Sequence, residues 1–208
     1  INEKITAERN PFYWNDKNTL INTSEYLFQE SLASAYQRYQ AKELDLTWIP
    51  VEQIPHIQKN TPSALLVVPR LTTEFYTFNV AKPPFDNEKV RKALYLTLDR
   101  PLIAEHIIGL RKPAATLTPP DVDGFTAPNI AELNQPLTDR VKQAKKLLND
   151  AGYNEKHPLQ FEIFYNKYAT HEKVALALAS EWKKQLGVDV KLRTMEWKTY
   201  LGERNMGN

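Results

Sequence analysis

"LQFEIFYNKYATHEKVALALASEWKKQLGVDVKLRTMEW", residues 159–197, decides the fold. Residues 159–165 alternate as a strand does when one face is covered and the other is not. Residues 170–187 carry a helical pattern, with Thr170 as the expected cap and Gly187 as the stop. Residues 188–194, "VDVKLRT", return to alternation. A helix of this length between two strands is a crossover, and a crossover within one sheet makes its strands parallel. The expected class is therefore α/β.

Upstream of this unit, "DRVKQAKKLLNDAGY" (139–153) reads as a helix capped by Thr138 and ended at Gly152. Residues 113–136 are proline-rich and irregular, a connecting loop. In "KPPFDNEKVRKALYLTLDR" (82–100) the two prolines force an extended turn, and Asp86 or Asn87 can cap a helix running to about Leu98. Val90, Ala93, Leu94 and Leu98 fall on one face of it, with Lys89, Arg91 and Lys92 mostly on the other. The basic residues thus solvate the back of an amphipathic helix and do not form a phosphate grip. Asp99 is positioned to cap a further helix that has Pro101 in its first turn.

Toward the amino terminus, strands are expected in 3–14 (running into a turn at Pro11), 24–29 and 44–48. Helices are expected over 31–42 and over 50–60, the latter broken by Pro55. "SALLVVPRL" (63–71) and "TEFYTFNV" (73–80) have the β-rich composition of strands that fill a buried sheet.

Composition removes several function classes. The 27 basic residues are matched by 25 acidic ones and interleaved with them, so the charge concentration of a nucleic-acid binder is missing. The chain has no cysteine, which excludes disulfides, thiolate metal sites and a cysteine nucleophile. With six glycines against fourteen prolines, no phosphate-cradling loop or nucleophile elbow is present, and no cofactor is expected. No apolar run has the length of a membrane span. Ile1 opens on what reads as mid-domain sequence, so a processed or partial chain is expected.

In sheets of this kind ligands bind beyond the carboxyl ends of the strands. His171 stands there, early in the crossover helix, and so does Trp197, three residues past Thr194. Arg204 follows Trp197 by seven residues, two helical turns, and shares its face if the helix continues. Together with the helix N-terminus, His171 and Arg204 can receive a carboxylate, and Trp197 offers a flat apolar wall. Against this, an early-helix histidine is ordinarily a solvated surface residue, and a lone tryptophan is ordinarily core. His56, His106, His157 and His171 lack partners at metal-ligand spacing, and Asp121 with Asp123 sits in the irregular loop. No serine has the context of a nucleophile.

"ITAERNPFYW", "KPPFDNEKVRKALYLTLDR", "TPP", "AKKLLNDAGY", "SEWKKQLGVDVKL" and "EWKTYL", in this order, resemble the extracytoplasmic oligopeptide-binding proteins of bacterial ABC importers. Murein-tripeptide-binding proteins are among the relatives that the chain resembles. The resemblance implies a periplasmic-binding-protein-like α/β lobe, with a mixed sheet flanked by helices, in an incomplete two-lobe architecture. Residues 1–70 would be the closing part of the first lobe, and 71–208 the larger part of the second, truncated at its end.

By the same resemblance, Trp197 lines a pocket for a ligand side chain, and Arg204 and His171 meet the peptide's polar or carboxylate end. Thr77 stands where oligopeptide binders often carry a glutamate, two residues before Asn79, so any preference tied to that acid is withdrawn. Thr72 replaces a cysteine found in some relatives. The implied function is periplasmic binding of oligopeptides for import by membrane permease subunits, by a monomer that is not an enzyme. Alternatives are a relative specialised for murein peptide, haem or antimicrobial peptides and, from another class, a peptide-processing enzyme with a hidden acid pair.

Overall fold

The computed structural model describes residues 4–29, 31–68, 70–120 and 122–207. Pro69, inside the run expected to be a strand at 63–71, and Asp121 of the loop acid pair lie outside them. The chain divides into two compact units, Ile1–Leu65 and Leu66–Asn208.

In the first unit, β1 (Lys4–Glu8) pairs antiparallel with β2 (Thr23–Leu27), Lys4 opposite Leu27 and Glu8 opposite Thr23. Both strands were legible from alternation. The turn between them is held by the Arg9 guanidinium, which grips the Asp16 carboxylate. Helix α1 (Leu32–Gln40) begins where Ser31 accepts a hydrogen bond from the Ser34 amide at 3.3 Å, satisfying one of the N–H groups that a helix start leaves open. Residues 44–48 are not a strand: no neighbour pairs with them among the described residues, and Trp48 is exposed. Helix α2 (Ile54–Asn60) is not broken by Pro55, which sits in its first turn, where an amide hydrogen is not needed.

The second unit starts with a correction. None of the described residues of 63–71 or of 73–80 is in a strand or a buried sheet; Leu66, Val67, Leu71 and Phe75 are exposed. β propensity reports only that a side chain suits a pleated surface, and a strand also needs a backbone partner, which the described residues do not supply. Phe78, by contrast, packs against the core with Phe85 at a ring separation of 4.9 Å.

Helix α3 (Glu88–Leu96) is capped by Asn87, whose side-chain oxygen accepts from the Lys89 amide at 3.0 Å. It buries Val90, Ala93, Leu94 and Leu96. The Asp99 carboxylate accepts from the Leu102 amide, as the sequence suggested, but the segment it opens, Leu102–Ile108, is π-helical. Helix α4 (Leu137–Asp150) starts one residue before Thr138, which is therefore inside the helix and caps nothing.

The crossover unit is as read. Strand β3 (Gln160–Asn166), helix α5 (Ala169–Leu186) and strand β4 (Asp189–Met195) follow in order, with β3 and β4 parallel from Gln160 opposite Asp189 to Asn166 opposite Met195. Gly187 ends α5 at φ 72°, a left-handed value that glycine adopts without strain. Thr170 is not the cap; Tyr168 occupies that position, and its carbonyl accepts from the Glu172 amide. Helix α6 (Trp197–Asn205) follows β4 directly.

Two hydrogen bonds explain how these pieces lock. The last carbonyls of α3 have no helical partner. The Trp182 indole N–H of α5 donates to the Leu94 carbonyl at 3.0 Å, and the Arg140 guanidinium of α4 donates to the Leu96 carbonyl at 2.7 Å. The end of α3 is thereby tied to both other helices. Trp182 is almost wholly buried and meets Phe161 of β3 edge-on at 5.6 Å, so the sheet joins the same core.

Candidate functional site

Because β3 and β4 are parallel, their carboxyl ends lie on one edge, and the elements that follow them start there. Two contacts close this rim. The Lys167 amide donates to the Met195 carbonyl at 2.7 Å, and the Lys167 ammonium faces the Glu196 carboxylate at 3.8 Å.

On the β3 side, His171 lies in the first turn of α5 and is half-buried. Its Nδ1 pairs with the Asn166 side-chain oxygen at 2.7 Å, and its Nε2 lies 3.9 Å from the Glu74 carboxylate. The Tyr168 ring meets the imidazole edge-on at 5.0 Å. The histidine is thus held from both nitrogens. On the β4 side, Trp197 opens α6 and stacks on Tyr200 at 5.7 Å and 22°. The Arg204 guanidinium lies over the other part of this array, 5.9 Å from the Tyr200 ring. Trp197 and Arg204 therefore share one helix face through Tyr200, as their spacing implied.

The two halves are joined by residues 74–79, which lie along the rim. The Tyr76 hydroxyl donates to the His171 carbonyl at 3.5 Å, and the Asn79 side-chain amide donates to the Gly207 carbonyl beyond α6. Partial burial pushes the Tyr76 phenol above its ordinary range, and the Glu74 carboxylate and the Tyr165 and Tyr200 phenols add to the effect. Tyr76 thus bridges the histidine side and the tryptophan side. Thr77, beside it, is exposed and makes no side-chain hydrogen bond among the described residues.

The charges are unevenly satisfied. Arg193 is 2.6 Å from the Glu162 carboxylate and 3.8 Å from that of Glu203. Arg204 has no carboxylate partner among the described residues, only the Tyr200 ring. A guanidinium left open one ring away from an exposed indole can take a carboxylate of a ligand that also carries an apolar group. No group of three histidine, aspartate or glutamate residues among the described ones can hold a metal ion. A cleft of about 650 Å3 opens at the opposite, amino-terminal edge of the strands, between Lys145, Tyr153, Leu159 and Lys183. None of the candidate residues line it, and the chemistry of the rim is our reason for placing the site elsewhere.

Four residues of this constellation were not read from the sequence. Tyr200 was accessible, three residues after Trp197 and four before Arg204. Glu74 and Tyr76 carry no local signal, because they reach His171 across almost a hundred residues of chain. Asn166 lies five residues before His171 and is identified only by its contact.

An α/β unit whose parallel strands present aromatic and charged side chains at their carboxyl edge has the arrangement in which sheets of this class receive a solute. Comparison makes the assignment specific: residues 1–208 match the bacterial extracellular solute-binding proteins, family 5 middle region, and the chain belongs to that family. It is 55% identical over 208 residues to a probable deoxycholate-binding periplasmic protein of Escherichia coli, covering all of this chain and 39% of that one. It is 43% identical to the periplasmic oligopeptide-binding protein of Haemophilus influenzae, again covering all of this chain and 39% of the relative.

Among solved structures, the Haemophilus influenzae oligopeptide-binding protein in complex with RPPGFSPFR matches with a TM-score of 0.86 and 41% identity, covering 100% of this chain and 42% of that one. The Escherichia coli murein tripeptide-binding protein matches with a TM-score of 0.90 and 38% identity, covering 100% and 41%. The periplasmic-binding-protein fold is thus established, and the relatives are named as periplasmic. The chain spans about two fifths of the length of these proteins.

Proposed function

We propose that this chain is part of the periplasmic solute-binding component of an ABC importer, and that its ligand is an oligopeptide passed to membrane permease subunits. In this reading residues 1–70 close the first lobe and 71–208 form most of the second. The protein acts as a monomer, binds no nucleic acid and performs no catalysis. The observation that carries the reading is the open Arg204 guanidinium beside the exposed Trp197–Tyr200 stack, on the edge where parallel sheets receive ligands. Arg204 takes a ligand carboxylate, Trp197 walls a side-chain pocket, and His171 orients a polar group. Thr77 itself adds no charge to the segment of residues 74–79.

A second reading is favoured by the 55% identity to a probable deoxycholate-binding protein. A rigid amphipathic carboxylate has the same two features, one anionic group and one flat apolar face, and it suits the same two residues. Calorimetry on the full-length protein separates the two. A peptide acid, its C-terminal amide and deoxycholate are titrated into wild type and Arg204→Ala. We expect the acid to bind wild type about tenfold or more better than the amide, and the variant to lose this difference. Equal binding of acid and amide by wild type removes the role given to Arg204, and binding of deoxycholate alone selects the second reading.

A further inference from the structure

We infer that Glu74 is a specificity-determining residue that divides the rim into two subsites of opposite character, so that the preferred ligand is dipolar. The inference rests on the solute-binding reading above and names the kind of ligand that site takes.

His171 and Arg204 look equivalent in the sequence, two basic side chains at one strand edge. Their surroundings are not equivalent. The Nδ1 of His171 is occupied by Asn166 at 2.7 Å, and its other nitrogen faces the Glu74 carboxylate at 3.9 Å. Glu74 is itself half-exposed, its side chain 40% accessible, so its charge is felt by whatever approaches. An incoming carboxylate must displace or approach this negative charge to reach the imidazole, and like charges at such range repel. Arg204 carries no carboxylate at all among the described residues. An anionic group is therefore steered to Arg204, while the Glu74–His171 end accepts a cation or a hydrogen-bond donor.

The remaining charges nearby do not blur this division. Lys167 and Glu196 face one another, and Arg193 lies between Glu162 and Glu203. Tyr76, next but one to Glu74, is held protonated by its partial burial and is neutral. Glu172, next to His171, and Lys198, next to Trp197, add an exposed charge of each sign on the same sides as Glu74 and Arg204, so they reinforce the division that Tyr76 and Tyr200 bridge.

The test uses the full-length protein and three probes: Ala-Lys-Ala, Ala-Glu-Ala and deoxycholate. Affinities are compared in wild type, Glu74→Gln and Glu155→Gln, the last removing the same charge at the far edge of the strands. A unit charge lost about 5 Å from a ligand charge in a half-exposed site changes affinity by about tenfold. Glu74→Gln is expected to move the ratio of Ala-Lys-Ala to Ala-Glu-Ala affinity toward the acidic peptide by about tenfold, with Glu155→Gln leaving it in place. An unchanged ratio in Glu74→Gln, with both peptides still bound, overturns the inference while the peptide reading stands. If wild type takes deoxycholate and neither peptide, the peptide reading fails and Glu74 is judged on deoxycholate. That ligand should then bind the Glu74→Gln protein several-fold more tightly, and equal affinity overturns the inference. Binding of none of the three probes overturns both.

Discussion

Replacing Trp197 with alanine tests whether the rim receives a ligand side chain. Trp197 is 56% exposed, and its covered side is the stack on Tyr200. Taking about 250 Å2 for a tryptophan, roughly 140 Å2 remains open, and a ligand group laid against one flat face covers about half of that. At about 25 cal/mol per Å2 the burial is worth about 1.8 kcal/mol, so with a modest ring–ring contribution the loss should be about 2 kcal/mol. That is about 30-fold in Kd. Calorimetry with two peptides of one length, differing in tryptophan or glycine at the variable position, reads the effect. The tryptophan ligand should lose the full factor in Trp197→Ala and the glycine ligand little. Equal losses for both ligands would mean that the substitution perturbs α6 in general, and the pocket assignment would be refuted.

Two further outcomes follow from the core and from the tyrosine. Trp182→Phe removes the indole donor from the Leu94 carbonyl and leaves a space beside Phe161. Because the Thr97 hydroxyl still reaches that carbonyl at 3.2 Å, the loss in stability should be about 2 kcal/mol, read as a lower urea midpoint with ligand affinity nearly unchanged. The Tyr76 phenol is raised in the folded state, so its contribution is fully present below the ordinary phenol value of about 10 and is lost as pH rises through the folded value. Tyr76→Phe should therefore flatten the alkaline fall in stability seen by chemical denaturation above about pH 10; an unchanged slope would mean that the phenol ionises as freely folded as unfolded.

How much of this was legible in the chain depends on whether the deciding contact is local. The crossover unit declares itself because alternation, helical spacing and Gly187 all agree within forty residues. The rim candidates Trp197 and Arg204 are likewise a matter of spacing on one helix. The errors at 44–48, 63–71 and 73–80 share a cause: composition reports how a side chain suits a strand, but not which backbone pairs with it. Thr138 and Thr170 failed as caps because a hydroxyl near a helix start does not fix which residue begins it, and each helix starts two residues earlier than the threonine reading required. Glu74 escaped altogether. Nothing within ten residues of it marks it as a partner of His171, and only the folded chain brings the two together.

The parallel pairing of β3 and β4 separates two kinds of labour in this unit, with consequences for how it can change over generations. The buried side chains that hold it, such as Leu94, Val174 and Trp182, lie behind the rim, while Glu74, Thr77 and Trp197 are exposed and carry little of its stability. Substitution at the rim is therefore nearly free of folding cost, whereas substitution behind it is not. A scaffold arranged in this way tolerates drift in its exposed rim residues and retains its architecture. The relatives of this chain are named for deoxycholate, for oligopeptides and for murein peptide, a range of ligands that such a division of labour accommodates.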